Sequence, residues 1–199
     1  MTTDPHMLMT PLRSAAPGDS ARAAAVVAEA RRALAKYKDV RVAEADGFRQ
    51  FLPNVMQPVY HFTSYKNGFQ EAFRFDAAKP TSLLYRKNAD GSFTLEGAMY
   101  TYRQNAPPDD LDKRIPLSIA RWHEHVNWCV PSKGDAGRWT ETEHGKPLFG
   151  PQSPIATREQ CRAVNGDFHE FVLGWMVHAN IFAGDDPREI WGTEHHHEH

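Results

Sequence analysis

The chain has almost no cysteine, no long apolar run and no excess of positive charge. Cys129 and Cys161 are its two cysteines, too few for a framework of bridges holding a small secreted fold. They form one bridge in an oxidising compartment or remain buried thiols in a reducing one. Thiols are the expectation taken forward. No stretch of about 18 apolar residues occurs, so no transmembrane segment is expected. Residues 1–20, MTTDPHMLMTPLRSAAPGDS, lack the charged start and apolar centre of a secretory signal. A cytoplasmic protein and a mature periplasmic form both fit that start. The net charge is −2, and the basic pairs Arg31-Arg32 and Arg86-Lys87 stand alone. A surface for phosphate backbones needs clustered Lys and Arg, so no nucleic-acid partner is expected.

Hydrophobic residues make up 41% of the 199 positions and charged residues 24%, the balance of a soluble globular chain that buries one sizeable core. The reading is an extended leader over 1–19, one β-rich domain over 20–193 and a histidine-rich tail over 194–199. After the leader, ARAAAVVAEARRALAKYKDV spaces Val26, Val27, Ala30, Leu34 and Tyr37 at helical intervals, predicting a helix over 20–38 capped by Asp19 or Ser20. The period then changes to two. PVYHFTSY, GFQEAFRFD and TSLLYRK read as strands. LLYRKNADGSFTLEGAMYTYR reads as a hairpin turning at Ala89-Asp90-Gly91. A short helix over 107–115 has prolines in its first turn. The glycine- and proline-rich 131–156 reads as a long ordered loop. Thr157 and Gln160 form a capping-box pattern for a short helix that stops at Asn165-Gly166. The fold class is α+β, mainly β: an antiparallel sheet or barrel with an N-terminal helix and one or two short helices.

Two segments carry the chemistry. In RWHEHVNWCV a strand period puts Arg121, His123, His125, Asn127 and Cys129 on one face, and Trp122, Glu124, Val126 and Trp128 on the other. In GWMVHANIF, His178 and Asn180 face away from Trp175, Val177 and Ile181. If both strands line one cavity, His123, His125 and His178 converge. Three imidazoles with an open position suit a catalytic or transport site for Zn, Cu or Fe. The same pattern also describes a pair of amphipathic strands with hydrogen-bonded histidines. Asn127, Asn180 and Arg121 are candidates to orient a substrate or support the ligands, and His61, on the YHFTSY strand, is a candidate fourth ligand or base. Glu170 is an outside candidate as a carboxylate ligand, and His144 is expected in an exposed loop. Glu124, turned toward the tryptophans, needs a partner such as an arginine. Cys129 lies too far along the strand from His125 to be a ligand.

The His-x-His of residues 121–127 and the later His178 resemble the metal centre of cupin-type barrels, which implies a barrel with a mononuclear metal. The cupin pattern also has a Glu soon after His-x-His and a Pro-x-Gly before the last His. Residues 127–130 hold no Glu, and no Pro-x-Gly precedes His178. The three-histidine set is also similar to that of α-type carbonic anhydrases, without their wider signature. Three functions follow. One is a mononuclear metal-dependent hydrolase or oxygenase acting on a small molecule. The second is a metal-binding or trafficking protein, and the third a metal-free domain for a small ligand. The tail EHHHEH binds transition metals weakly in any conformation and is set apart from the site.

Overall fold

A computed structural model describes residues 4–192; the histidine-rich tail lies outside the described residues. Seven strands form one antiparallel sheet. In chain order they are β1 (Met7–Met9), β2 (Arg49–Gln50), β3 (Tyr60–Thr63), β4 (Ser82–Lys87), β5 (Phe93–Tyr102), β6 (His123–Pro131) and, after a separate two-strand hairpin β7–β8 (Thr142–Glu143, Lys146–Pro147), β9 (Gly166–Ala179). Their lateral order is β1-β6-β9-β5-β4-β3-β2. The sheet is open, with β1 and β2 at its edges, so the barrel implied by the cupin resemblance is corrected. The α+β, mostly antiparallel reading stands.

The periodicities account for the two faces. Helix α1 (Asp19–Leu34) buries Ala23, Val27, Ala30 and Leu34, a stripe at helical spacing. That stripe packs into one core with Phe62, Leu83, Tyr85, Ala98, Tyr100, Val177 and Ala179, alternate residues of four strands, and with Trp122 just before β6. Full burial of each large side chain stabilises by roughly 1.5–3 kcal/mol. The hydroxyls that enter this core are satisfied, Tyr85 donating to the Tyr37 carbonyl at 2.6 Å and Tyr100 to that of Ala77 at 2.9 Å. The opposite face carries His61, Thr63, Met99, Thr101, Met176, His178, His123 and His125, and it stays open to a cavity.

Several local expectations are met. The hairpin joins β4 to β5, with Gly91 at φ 84 in its turn. Helix α4 spans Pro108–Arg114. Thr157 and Gln160 exchange both capping-box hydrogen bonds at the start of α5 (Arg158–Ala163).

Others are corrected. GFQEAFRFD is not a strand: it supplies most of helix α3 (Tyr65–Glu71), whose amides begin on the Ser64 hydroxyl. Helices α2 (Val40–Ala45) and α6 (Pro187–Trp191) were not legible. The first helix passes into a 3-10 turn at Ala35–Lys38. It starts from Gly18 at φ 90 with no side-chain cap. The Asp19 carboxylate instead accepts from the Ser118 hydroxyl, the Ala16 amide and Arg22, which hold it down to about 2. The leader is not a free extension, because β1 pairs with β6, Met7 opposite His125 and Met9 opposite His123. Cys129 and Cys161 are joined in a disulfide, which corrects the thiol expectation. The bridge ties β6 to α5 over a small second core with Leu148, Phe149 and Ile155.

Candidate functional site

The histidine strand starts later than the two-residue period suggested. Residues 119–122 precede β6, and β9 ends at Ala179, before Asn180–Phe182. Two irregularities break the alternation. Asn127 sits at φ 58, a left-handed conformation that asparagine tolerates better than most residues. Beyond it the faces change: Trp128, expected opposite the histidines, stacks at 4.9 Å from the His125 ring and lines the same cavity. On β9, the register against β6 slips between His123 and His125, which pair with Met176 and Val172. Leu173 in that bulge has φ 65 and is 61% exposed. Bulges of this kind re-aim side chains beside binding sites.

The sheet's curl brings the imidazoles together. His61 on β3 and His178 on β9 are three strand steps apart, about 14 Å on a flat sheet. Yet their Nε2 atoms lie 3.5 Å apart. Gly97 is one cause, because a Cβ there would fall 2.1 Å from the Ala179 carbonyl oxygen. Only a glycine lets β5 and β9 approach so closely. A bulge between Leu84 and Tyr85 adds curvature on β4. Leu84, Met99 and Met176 fill the floor beneath the rings.

The four histidines run in a row: ring centroids are 5.3 Å apart from His61 to His178, 4.9 Å from His178 to His123 and 5.4 Å from His123 to His125. His123 is buried, and His61, His178 and His125 are half-buried. Burial holds the His125 imidazole below its usual range. Its Nδ1 has no hydrogen-bond partner among the described residues. As the side chains stand, no group of three or more His, Cys, Asp or Glu among the described residues is arranged to hold a metal ion.

The supporting candidates do not join them. Arg121 donates through Nε to the Thr10 carbonyl at 2.9 Å, and Asn127 to the Pro5 carbonyl at 3.0 Å. Both fasten the N-terminal strand rather than face the cavity. Asn180 donates to the Glu189 carbonyl at 3.3 Å, anchoring α6. Glu170 and His144 are exposed. Glu124 is buried, but no arginine meets it: its Oε1 lacks a hydrogen-bond partner among the described residues, and burial pushes its carboxyl up. Of the candidates, the structure brings together His61, His123, His125 and His178.

The cavity expected along the histidine strands extends well beyond them. It measures about 1100 Å³ and opens between the histidine face, the 51–58 segment, α3 and the loop bearing Trp139. Below one end lies a chain of hydroxyls. Thr101 and Thr81 line the cavity and share a hydrogen bond of 2.6 Å, and Thr81 donates to Glu71 Oε2 at 2.6 Å. Glu71 is 2% exposed, and burial pushes its carboxyl up to about 7. No sequence signal marked Glu71, which lay in a segment read as strand. Comparison with protein-family models, curated proteins and solved structures finds no match to this chain.

Proposed function

We propose that the chain binds one divalent transition metal at the cluster of His61, His178 and His123, with His125 next in the row, and that a small molecule reaches the ion through the cavity. The observation that carries this reading is the 3.5 Å separation of the His61 and His178 Nε2 atoms. Two imidazole nitrogens at 2.0–2.1 Å from one tetrahedral ion are about 3.4 Å apart. The two nitrogens are thus already at the spacing of two ligands of one ion, although they come from strands three steps apart. The His123 ring, 4.9 Å from that of His178, is the candidate for a third nitrogen. Imidazole nitrogens accept Zn, Cu or Fe. An ion with an open position toward the cavity would polarise a substrate oxygen or lower the pKa of a bound water.

The same cavity supports a second, metal-free reading, because most of its wall is apolar. Metal analysis separates the two. Protein lacking residues 194–199 is dialysed against zinc and assayed for bound metal, alongside the variant H61A/H123A/H178A. About one equivalent in the first and none in the second is expected. Metal that disappears with the tail, or survives in the triple variant, would overturn the reading.

A further inference from the structure

Apart from the histidines, the cavity wall has few ionised groups. Among the described lining residues these are Arg103 and Glu141. Arg103 is already paired with Asp110 at 3.3 Å, and Glu141 with Arg138 at 3.0 Å. The rest of the wall is mostly apolar surface, including Trp128, Trp139, Val55, Met56 and Phe69, with threonine hydroxyls and the amides of Asn54, Gln57 and Gln152 among them. Around the mouth, Met56 is 88%, Tyr65 73% and Phe69 70% exposed. Large apolar side chains gathered in the open around a cavity mark a binding surface. The volume of about 1100 Å³ lies just above the usual range of about 300–1,000 Å³ for small-molecule pockets.

These observations exclude whole ligand classes. A sugar would need a wall dense in hydrogen-bonding groups, and a nucleotide would need several cations for its phosphates. A multiply charged molecule would leave charges unpaired in an apolar space, at high cost. What remains is a molecule with one polar end and a long apolar body. The imidazoles gather in one row, and the methionines of the wall, Met99 and Met176 beneath that row among them, adapt to varied hydrocarbon shapes.

We propose that the cavity receives an apolar acid, a hydrocarbon or aromatic body with a single carboxylate, its head at the histidine cluster and its body along the wall that includes Trp128, Trp139, Met56 and Phe69. The placing of the head rests on the metal reading above; the placing of the body does not.

Full-length protein is loaded with zinc and titrated with 12-bromododecanoate while tryptophan fluorescence is read. Bromine quenches an indole it touches, and Trp128 and Trp139 line the cavity. Saturable quenching is expected, reversed by dodecanoate and not by glucose or inorganic phosphate. The variant V55E/F69E places charge at the mouth, where the exposure of Phe69 spares the fold, and should bind the probe at least tenfold more weakly. The matching alcohol, 12-bromododecanol, should bind about tenfold more weakly than the acid to zinc-loaded protein. Quenching that never saturates, or that V55E/F69E leaves unchanged, would overturn the proposal even if zinc binds stoichiometrically. Saturable quenching that is equal for acid and alcohol, and unchanged by chelation or by H61A/H178A, would keep the apolar ligand and overturn the placing of its head on a metal.

Discussion

Replacing Glu71 by Gln tests whether the carboxyl under the cavity is as strained as its surroundings imply. Glu71 is 2% exposed, its Oε2 accepts from Thr81 and its Oε1 has no hydrogen-bond partner among the described residues. Glutamine keeps an oxygen for Thr81 and puts its amide where Oε1 already lacks a partner, so the change removes chiefly the charge. A carboxyl raised from 4.5 to about 7 on folding is disfavoured as an anion by about 3 kcal/mol. The sign follows from proton binding. The folded state holds the Glu71 proton more tightly than the unfolded chain, so this stability is fully present below about 4.5 and lost as pH rises through about 7. Urea unfolding of both proteins, followed by tryptophan fluorescence between pH 4.5 and 8.5, isolates the effect because other carboxyls cancel in the difference. Relative to wild type, E71Q should gain about 3 kcal/mol across that range, with most of the change complete just above pH 7. A difference that stays flat with pH would refute the account of Glu71 as a buried carboxyl that ionises at a cost.

Further expectations rest on other features. Reducing the Cys129–Cys161 bridge, which closes a separation of 32 residues, should destabilise the fold by roughly 3–4 kcal/mol on a chain-entropy account; unfolding with and without reductant measures it, and intact mass on reduction should rise by about two hydrogens. G97A should cost at least about 2 kcal/mol and weaken zinc binding, since its methyl cannot sit 2.1 Å from the Ala179 oxygen; an unchanged melting temperature would show that the curl does not depend on that approach. L173G should leave stability unchanged or raise it by about 1 kcal/mol, because an exposed leucine at φ 65 sits where glycine is unstrained; denaturant midpoints decide it.

How far the sequence could be read depended on whether a local pattern decided the structure. The hairpin over 82–102, the first helix and the Thr157 capping box are short-range devices, and each formed, the helix without its expected side-chain cap and with a 3-10 last turn. The strand period also put His61, His123, His125 and His178 on one side of their strands, opposite Phe62, Trp122 and Val177 in the core. It failed at Asn127, where a single left-handed residue carried Trp128 to the histidine side. It failed again for GFQEAFRFD, whose apolar residues alternate loosely but whose first four residues belong to the helix that Ser64, upstream, starts. The contact of His61 with His178 depends on sheet curvature, on Gly97 and on strand order, none of which has a local signature. The disulfide likewise required knowing that α5 returns to β6. Arg121, Asn127 and Asn180 were polar at the right period, but their hydrogen bonds go to nearby backbone carbonyls, the commoner fate of such side chains.

The most direct test of the central claim is X-ray absorption at the zinc edge of protein lacking residues 194–199 and loaded with one equivalent of zinc. A site built from His61, His178 and His123 should show a first shell of nitrogen or oxygen at about 2.0–2.1 Å with the outer-shell scattering of three or four imidazoles. H61A and H178A should each lower that imidazole count by one or release the metal. A first shell without imidazole scattering, or a spectrum that neither substitution alters, would contradict the account.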